Sequence, residues 1–303
     1  MSTEVSGPAR RGGGVQWRDT AVPTRHGEVT VRLWTPDSGI PSEPVVVWLH
    51  GSAYIRGAIN MPEAMSVAGH LSRRGCTVAV VDYSLAEHIP AGDEWPWPPR
   101  AAAGIRFPVP IDEVVDVCAA LPSLAGVTSV WYLGGASAGA SVALSAAQRL
   151  RDEGGQLPAG IPLVYPTAHS VLPPMTPELR NKYLRIPFEQ RYSPLRVHLM
   201  NLNFVGTEDR MEEPYAFPGD GDLSGLPPVY VLNSELDGLR ASGQTLAASL
   251  AAAGNDVVQF CEPEALHGHL NTPELVVSDR SLARIDAWMT LIEANARASG
   301  LGM

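Results

Sequence analysis

Lysine is nearly missing from this chain: of 22 basic residues only Lys182 is a lysine, and 32 acidic residues leave a formal charge of −10 over 303 residues. No block of like charge and no basic stripe interrupts that balance, which disfavours a nucleic-acid or anionic-membrane surface and leans towards a neutral or cationic substrate. Cysteine is scarce as well. Cys76, Cys118 and Cys261 are odd in number and lack metal-like pairing, so free thiols in a reducing compartment are expected, with no disulfide framework. No apolar run approaches the length that crosses a bilayer, and residues 1–14 carry Arg10 and Arg11 without an apolar core, so neither a membrane span nor a signal peptide is expected. The location read from this is cytoplasmic. Gly12-Gly13-Gly14 follows no strand and opens no helix, which excludes a phosphate loop. His26, His70, His169 and His198 show no paired ligand spacing, so no metal and no cofactor are expected.

What is present centres on Gly135-Ala136-Ser137-Ala138-Gly139. An apolar run, Val130 to Gly134, precedes it and an Ala-rich run, Ser141 to Leu150, follows, so the stretch reads as strand, sharp turn and helix. That is the setting of a G-x-S-x-G nucleophile elbow, where small flanking residues let a serine occupy a tight turn with its hydroxyl exposed. The same residues would also serve a Gly-rich turn in which Ser137 is only a helix N-cap.

A serine hydroxyl is a weak nucleophile near neutral pH and needs a histidine base, a carboxylate to orient that base, and N–H donors for the oxyanion. Asp237 follows the apolar strand Val229-Tyr230-Val231-Leu232, and His267 follows the strand Val257 to Cys261. Both fall in loops at the carboxyl ends of strands, where active sites of open α/β sheets gather. His269, two residues on, could compete for the base role. Val45 to Leu49 is fully apolar and runs into His50-Gly51-Ser52-Ala53-Tyr54, which assigns the oxyanion hole to N–H groups among Gly51, Ser52 and Ala53, joined by Ala138.

With these pieces in order, the chain resembles the hormone-sensitive-lipase-like, or bacterial family IV, carboxylesterases of the α/β-hydrolase fold. The loop at His50 resembles the family's His-Gly-Gly-Gly. Asp82-Tyr83-Ser84-Leu85-Ala86-Glu87-His88 resembles its Asp-Tyr-Arg-Leu-Ala-Pro-Glu-His, Glu235 to Arg240 its acid loop, and His267-Gly268 its His-Gly-Phe. Pro214 to Gly219 resembles the acetyl-hydrolase branch. The resemblance covers about residues 45 to 290 and implies a mostly parallel sheet flanked by helices, with a cap, and structural roles for His50 and His88.

The departures are informative. Ser52 and Ala53 stand where the family has glycines, so the backbone is expected to avoid conformations open mainly to glycine, with a hydroxyl and a methyl crowding the acyl site. Ala241 replaces an aspartate that supports the acid loop. About 18 residues, 89–106, with Trp95-Pro96-Trp97-Pro98-Pro99, intervene between His88 and Phe107 where the family has none. Tryptophan beside proline makes a stiff apolar surface, suited to a pocket wall through Trp95 and Trp97, to a partner contact, or to a functionless loop.

Elsewhere the patterns predict strands at 29–34, 45–49, 77–81 and 161–165, and helices at 62–74, 110–121, 242–253 and 281–294. Residues 1–14 are expected to be loose. One hydrolase domain is expected over 1–303, with a cap from about 1–25 and about 169–222. The second cap segment holds the aromatics Tyr183, Phe188, Tyr192, Phe204, Tyr215 and Phe217. Tyr54, Tyr215 and Phe217 are the substrate contacts expected beside the two tryptophans.

The expected reaction is two-step acyl transfer on a small ester with a short acyl group, acetyl preferred, using Ser137, His267 and Asp237. An amide or formamide, or acyl transfer to another acceptor, would use the same residues. A catalytically silent ligand-binding protein, and a cyclase or lyase on this fold, stay open as other classes. A homodimer is permitted by apolar surface on the insertion or cap and demanded by nothing.

Overall fold

The computed structural model of the protein describes residues 10–12, 14–37, 40–42, 44–86, 105–126 and 130–298. Residues 1–9 and nearly all of the 89–106 insertion, with Trp95, Trp97 and His88, lie outside the described residues.

The elements run β1 (Arg10–Gly12), β2 (Val15–Thr24), β3 (Gly27–Pro36), β4 (Val45–Leu49), α1 (Pro62–Arg74), β5 (Thr77–Val81), α2 (Val109–Ala125), β6 (Trp131–Ala136), α3 (Ala138–Asp152), β7 (Ile161–Val164), α4 (Pro177–Tyr183), α5 (Pro194–Val205), β8 (Val229–Leu236), α6 (Arg240–Ala252), β9 (Val257–Leu266) and α7 (Val276–Ala298). The nine strands among the described residues join one sheet in the order β1-β2-β3-β5-β4-β6-β7-β8-β9. The first three strands and the β3–β5 pair are antiparallel, and every pair from β5 onward is parallel. This is the α/β-hydrolase architecture.

Parallel strands covered on both faces read as unbroken apolar runs, because neither face meets water. In β4, Val45, Val47 and Leu49 point into one core, with α2, α3 and α6. Val46 and Trp48 point into the other, with α1 and α7. Each apolar run seen in the sequence is therefore buried twice over. Among the described residues no helix is long and apolar enough to cross a membrane. Cys76, Cys118 and Cys261 are all unpaired thiols.

The N-terminal part departs from expectation. Residues 15–24, expected within the cap, form β2 and pair along their whole length with β3, from Val15 opposite Pro36 to Thr24 opposite Gly27. Its side chains alternate weakly between apolar and polar, which hides a strand lying near a sheet edge. Pro23 is tolerated there because β1 pairs only with residues 15–17, leaving the far edge of β2 free of ladder bonds. The segment between β7 and β8 contains two short helices, α4 and α5, that begin at prolines capped by Thr176 and Ser193.

Candidate active site

Ser137 sits between the end of β6 and the start of α3 with φ 54° and ψ −121°, a left-handed conformation that a non-glycine residue holds only under constraint. The constraint is close packing. A Cβ on Gly135 would lie 2.7 Å from the Gly139 carbonyl, and one on Gly139 would lie 2.3 Å from the Leu49 carbonyl oxygen. The two glycines thus let α3 start directly against the end of β4, and the turn between them throws the serine outward. Its hydroxyl makes no capping bond to α3. Instead Ser137 Oγ lies 3.0 Å from His267 Nε2.

His267 follows β9 and Asp237 follows β8, so residues 130 and 30 apart in sequence meet at one end of the sheet. Asp237 Oδ2 lies 2.7 Å from His267 Nδ1. An ionised carboxylate can only accept, so Nδ1 carries the proton and Nε2 is left to accept from the serine. Asp237 is itself held locally: the Leu239 amide donates to Oδ1 at 2.9 Å, a support independent of the side chain at 241. The imidazole is flanked by two rings, Tyr165 with centroids 4.9 Å away and Tyr192 at 4.5 Å. His269 takes no part. Its Nε2 meets Ser281 Oγ at 2.8 Å and its Nδ1 meets Ser234 Oγ at 3.1 Å, and burial holds it down at about 4.

The loop after β4 differs in part from its sequence-based expectation. The Gly51 amide, expected in the oxyanion hole, donates to Glu63 Oε2 at 2.9 Å and is consumed there. The amides of Ser52, Ala53 and Ala138 have no partner among the described residues. Ala53 and Tyr54 do adopt φ of 48° and 63°, so the backbone enters the glycine-favoured region despite the missing glycines. What holds it there is a buried network. The Ser52 hydroxyl accepts from the Tyr54 amide at 2.9 Å and meets the Tyr83 hydroxyl at 2.8 Å, and Tyr83 reaches the His50 carbonyl at 2.7 Å. The Ser52 oxygen therefore turns into this network. His50 is fully buried, stacks on Tyr83 and is pushed down to about 4 by desolvation, a structural part as expected.

Glu63, in the first turn of α1, escaped notice in the sequence because an acidic residue at a helix N-terminus is commonplace. It is wholly buried; Oε1 accepts from Trp48 Nε1 at 2.6 Å and Oε2 from Gly51. Burial raises its pKa to about 7, with the Gly51 and Trp48 bonds opposing.

These groups open on a cavity of about 410 Å³ lined by residues 51–53, Arg56, Gly57, Met61, Ser137, Tyr165, Tyr192, His267, Gly268 and Asn271. Of the six aromatics of the 169–222 segment only Tyr192 reaches it. Tyr54 is buried against Phe204, with ring centroids 4.0 Å apart, and Phe217 packs on the other side of Phe204. The Tyr215 hydroxyl bonds Asp152 at 2.9 Å, on the body. None of the three lines the cavity, because aromatics near a cap serve its packing first. Tyr165, Arg56, Met61 and Asn271 carried no signal that singled them out. Among the described residues no cluster of side chains is arranged to hold a metal.

A family model described as the alpha/beta hydrolase fold matches residues 100–271. The chain is 31% identical over 248 residues to carboxylesterase NlhH of Mycobacterium tuberculosis, spanning 80% of this chain and 72% of that protein. It is 28% identical over 276 residues to the acetyl esterase of Salmonella schwarzengrund, spanning 88% of this chain and 77% of that one. The solved structure of a bacterial heroin esterase superposes with a TM-score of 0.72 at 28% identity, covering 89% of this chain and 82% of that chain.

Proposed function

Because this chain belongs to the α/β-hydrolase fold family, we propose that it hydrolyses small carboxylic esters with a short acyl group, acetyl foremost, through an acyl-enzyme on Ser137. The observation that carries this reading is the unbroken relay from Ser137 Oγ to His267 Nε2 at 3.0 Å and from His267 Nδ1 to Asp237 at 2.7 Å.

His267 takes the serine proton as Oγ attacks the ester carbonyl. Asp237 fixes the imidazole tautomer and stabilises the cation that forms. The carbonyl oxygen, now negative, is held by the amides of Ser52, Ala53 and Ala138, which are fixed before the reaction starts. His267 then returns the proton to the departing alcohol. A water, activated by the same imidazole, attacks the acyl-enzyme, and the serine leaves with its proton restored. Tyr165 and Tyr192 hold the plane of the ring throughout.

The preference for a short acyl group is supported by the Ala53 methyl and the Tyr192 ring on the cavity wall and by the acetyl esterases among the relatives. The test is hydrolysis of p-nitrophenyl acetate, butyrate and octanoate by the wild type and Ser137→Ala side by side. Turnover that falls with chain length and vanishes in the variant is expected. No turnover above background in either protein would reject the esterase reading, and a preference for octanoate would reject the acyl-length part alone.

A further inference from the structure

Arg56 is the only permanently charged side chain on the cavity wall among the described residues. The chain has 32 acidic side chains, and those near other arginines are used: Arg25 pairs with Asp116, Arg32 with Asp19, Arg280 with Glu262. Among the described residues no carboxylate forms an ion pair with Arg56. Its backbone is tied to the oxyanion loop by a bond from its amide to the Ser52 carbonyl at 3.0 Å, so the residue is carried at a set place beside the reacting groups. Tyr192 lines the same cavity, and its hydroxyl has no hydrogen-bond partner among the described residues. Burial and then Asp237 raise the Tyr192 phenol, while Arg196 and Arg56 act against them, which puts both guanidinium groups within electrostatic reach of that hydroxyl. Arg196 is occupied: it lies over the Tyr192 ring at 4.9 Å and donates to the carbonyls of Glu189 and Arg191. One free cation and one free hydroxyl therefore face the space that the ester must enter.

We infer that the ester taken by this site carries a carboxylate on its alcohol portion, bound by the Arg56 guanidinium with the Tyr192 hydroxyl as a second donor. The planar fork of a guanidinium matches a carboxylate in two parallel bonds. The charge belongs on the alcohol side because the proposed acyl group is too short to carry it. The overall charge of −10 does not oppose this, since exposed charges beyond about 8 Å are largely screened at physiological salt and the local cation decides. The acidic composition thus points the wrong way about the substrate.

This inference rests on the esterase reading, and the experiment separates the two. Three acetates of one shape are compared: 4-acetoxybenzoate, its neutral methyl ester, and the cationic 4-acetoxy-N,N,N-trimethylanilinium. kcat/KM is measured for each with the wild type, Arg56→Gln, Arg56→Glu and Ser137→Ala, and ratios are compared between proteins so that intrinsic reactivity cancels. Arg56 is exposed, so its variants should fold, and thermal melts check that they do. The ratio of carboxylate to neutral ester should fall about tenfold in Arg56→Gln, as for loss of one charge-assisted pair. In Arg56→Glu the cation should overtake the carboxylate, an inversion that altered packing alone would not produce. Ratios unchanged in both Arg56 variants, with hydrolysis still dependent on Ser137, would overturn the inference and leave the esterase reading intact. Turnover that survives in Ser137→Ala would overturn the reading and the inference together.

Discussion

Replacing Glu63 by glutamine should turn a pH-dependent contribution to stability into a constant one. The wild-type carboxyl is wholly buried and its pKa is raised from 4.5 to about 7, chiefly by desolvation. A raised carboxyl pKa means that between those two values the native state holds a proton the unfolded chain has released. Stability is therefore highest below pH 4.5 and falls as pH rises towards 7, by about 1.4 kcal/mol per unit and about 3 kcal/mol in all. Glutamine has the same shape and does not titrate. Its single acceptor faces two donors, Trp48 Nε1 and the Gly51 amide, so one buried N–H loses its partner at a cost of about 1–3 kcal/mol. The variant should be less stable than the wild type by that amount at pH 5 and equal to it or more stable at pH 8. Urea unfolding followed by tryptophan fluorescence at both pH values measures the difference. A stability gap of the same size at pH 5 and pH 8 would refute the placement of a raised, buried carboxyl at Glu63. The same substitution releases one tie on the oxyanion loop, and kcat on p-nitrophenyl acetate should fall about tenfold, less than the loss of a donor outright.

Asp237→Asn should lower kcat by about four orders of magnitude, because the amide no longer enforces the Nδ1–H tautomer of His267; retention of a tenth of wild-type turnover would remove Asp237 from its role. Ala53→Gly relieves a φ of 48° and should raise stability by up to about 1 kcal/mol, the left-handed penalty less the entropy that glycine adds to the unfolded chain; a loss of stability on denaturation would show that the loop is not strained. His269→Ala should cost stability while turnover persists. Because burial lowers His269 from 6.5 to about 4, its contribution is present above pH 6.5 and lost as pH falls towards 4, and the variant's stability should be flatter in that window; a collapse of kcat instead would mean that His269 belongs to the relay. Gly139→Ala drives a methyl to 2.3 Å from the Leu49 carbonyl and should destabilise by about 3 kcal/mol, read as a lowered melting temperature.

Much of the protein was legible before folding was considered. Apolar runs such as Val45–Leu49 and Thr77–Val81 read as strands buried on both faces, and the small residues around Ser137 mark a tight turn between a strand and a helix. Placing Asp237 and His267 after strands followed from the same logic, since a parallel sheet brings the carboxyl ends of its strands to one edge. Tertiary structure decided the rest, because those choices depend on contacts between residues far apart in the chain. It put β2 in the sheet, although that segment is expected in the cap. It turned the Ser52 hydroxyl towards Tyr83 and gave the Gly51 amide to Glu63, which no local pattern announces. It drew Tyr192 alone from the six aromatics of the 169–222 segment to the cavity, and placed Arg56 there with no carboxylate partner among the described residues. Sequence by itself determined which residues are candidates for the site, since a nucleophile, a base and an acid must be particular residue types in a particular order. Which surfaces would greet the substrate was decided only by packing, because a side chain's neighbours, and therefore its charge balance and free donors, exist only once the chain has closed on itself.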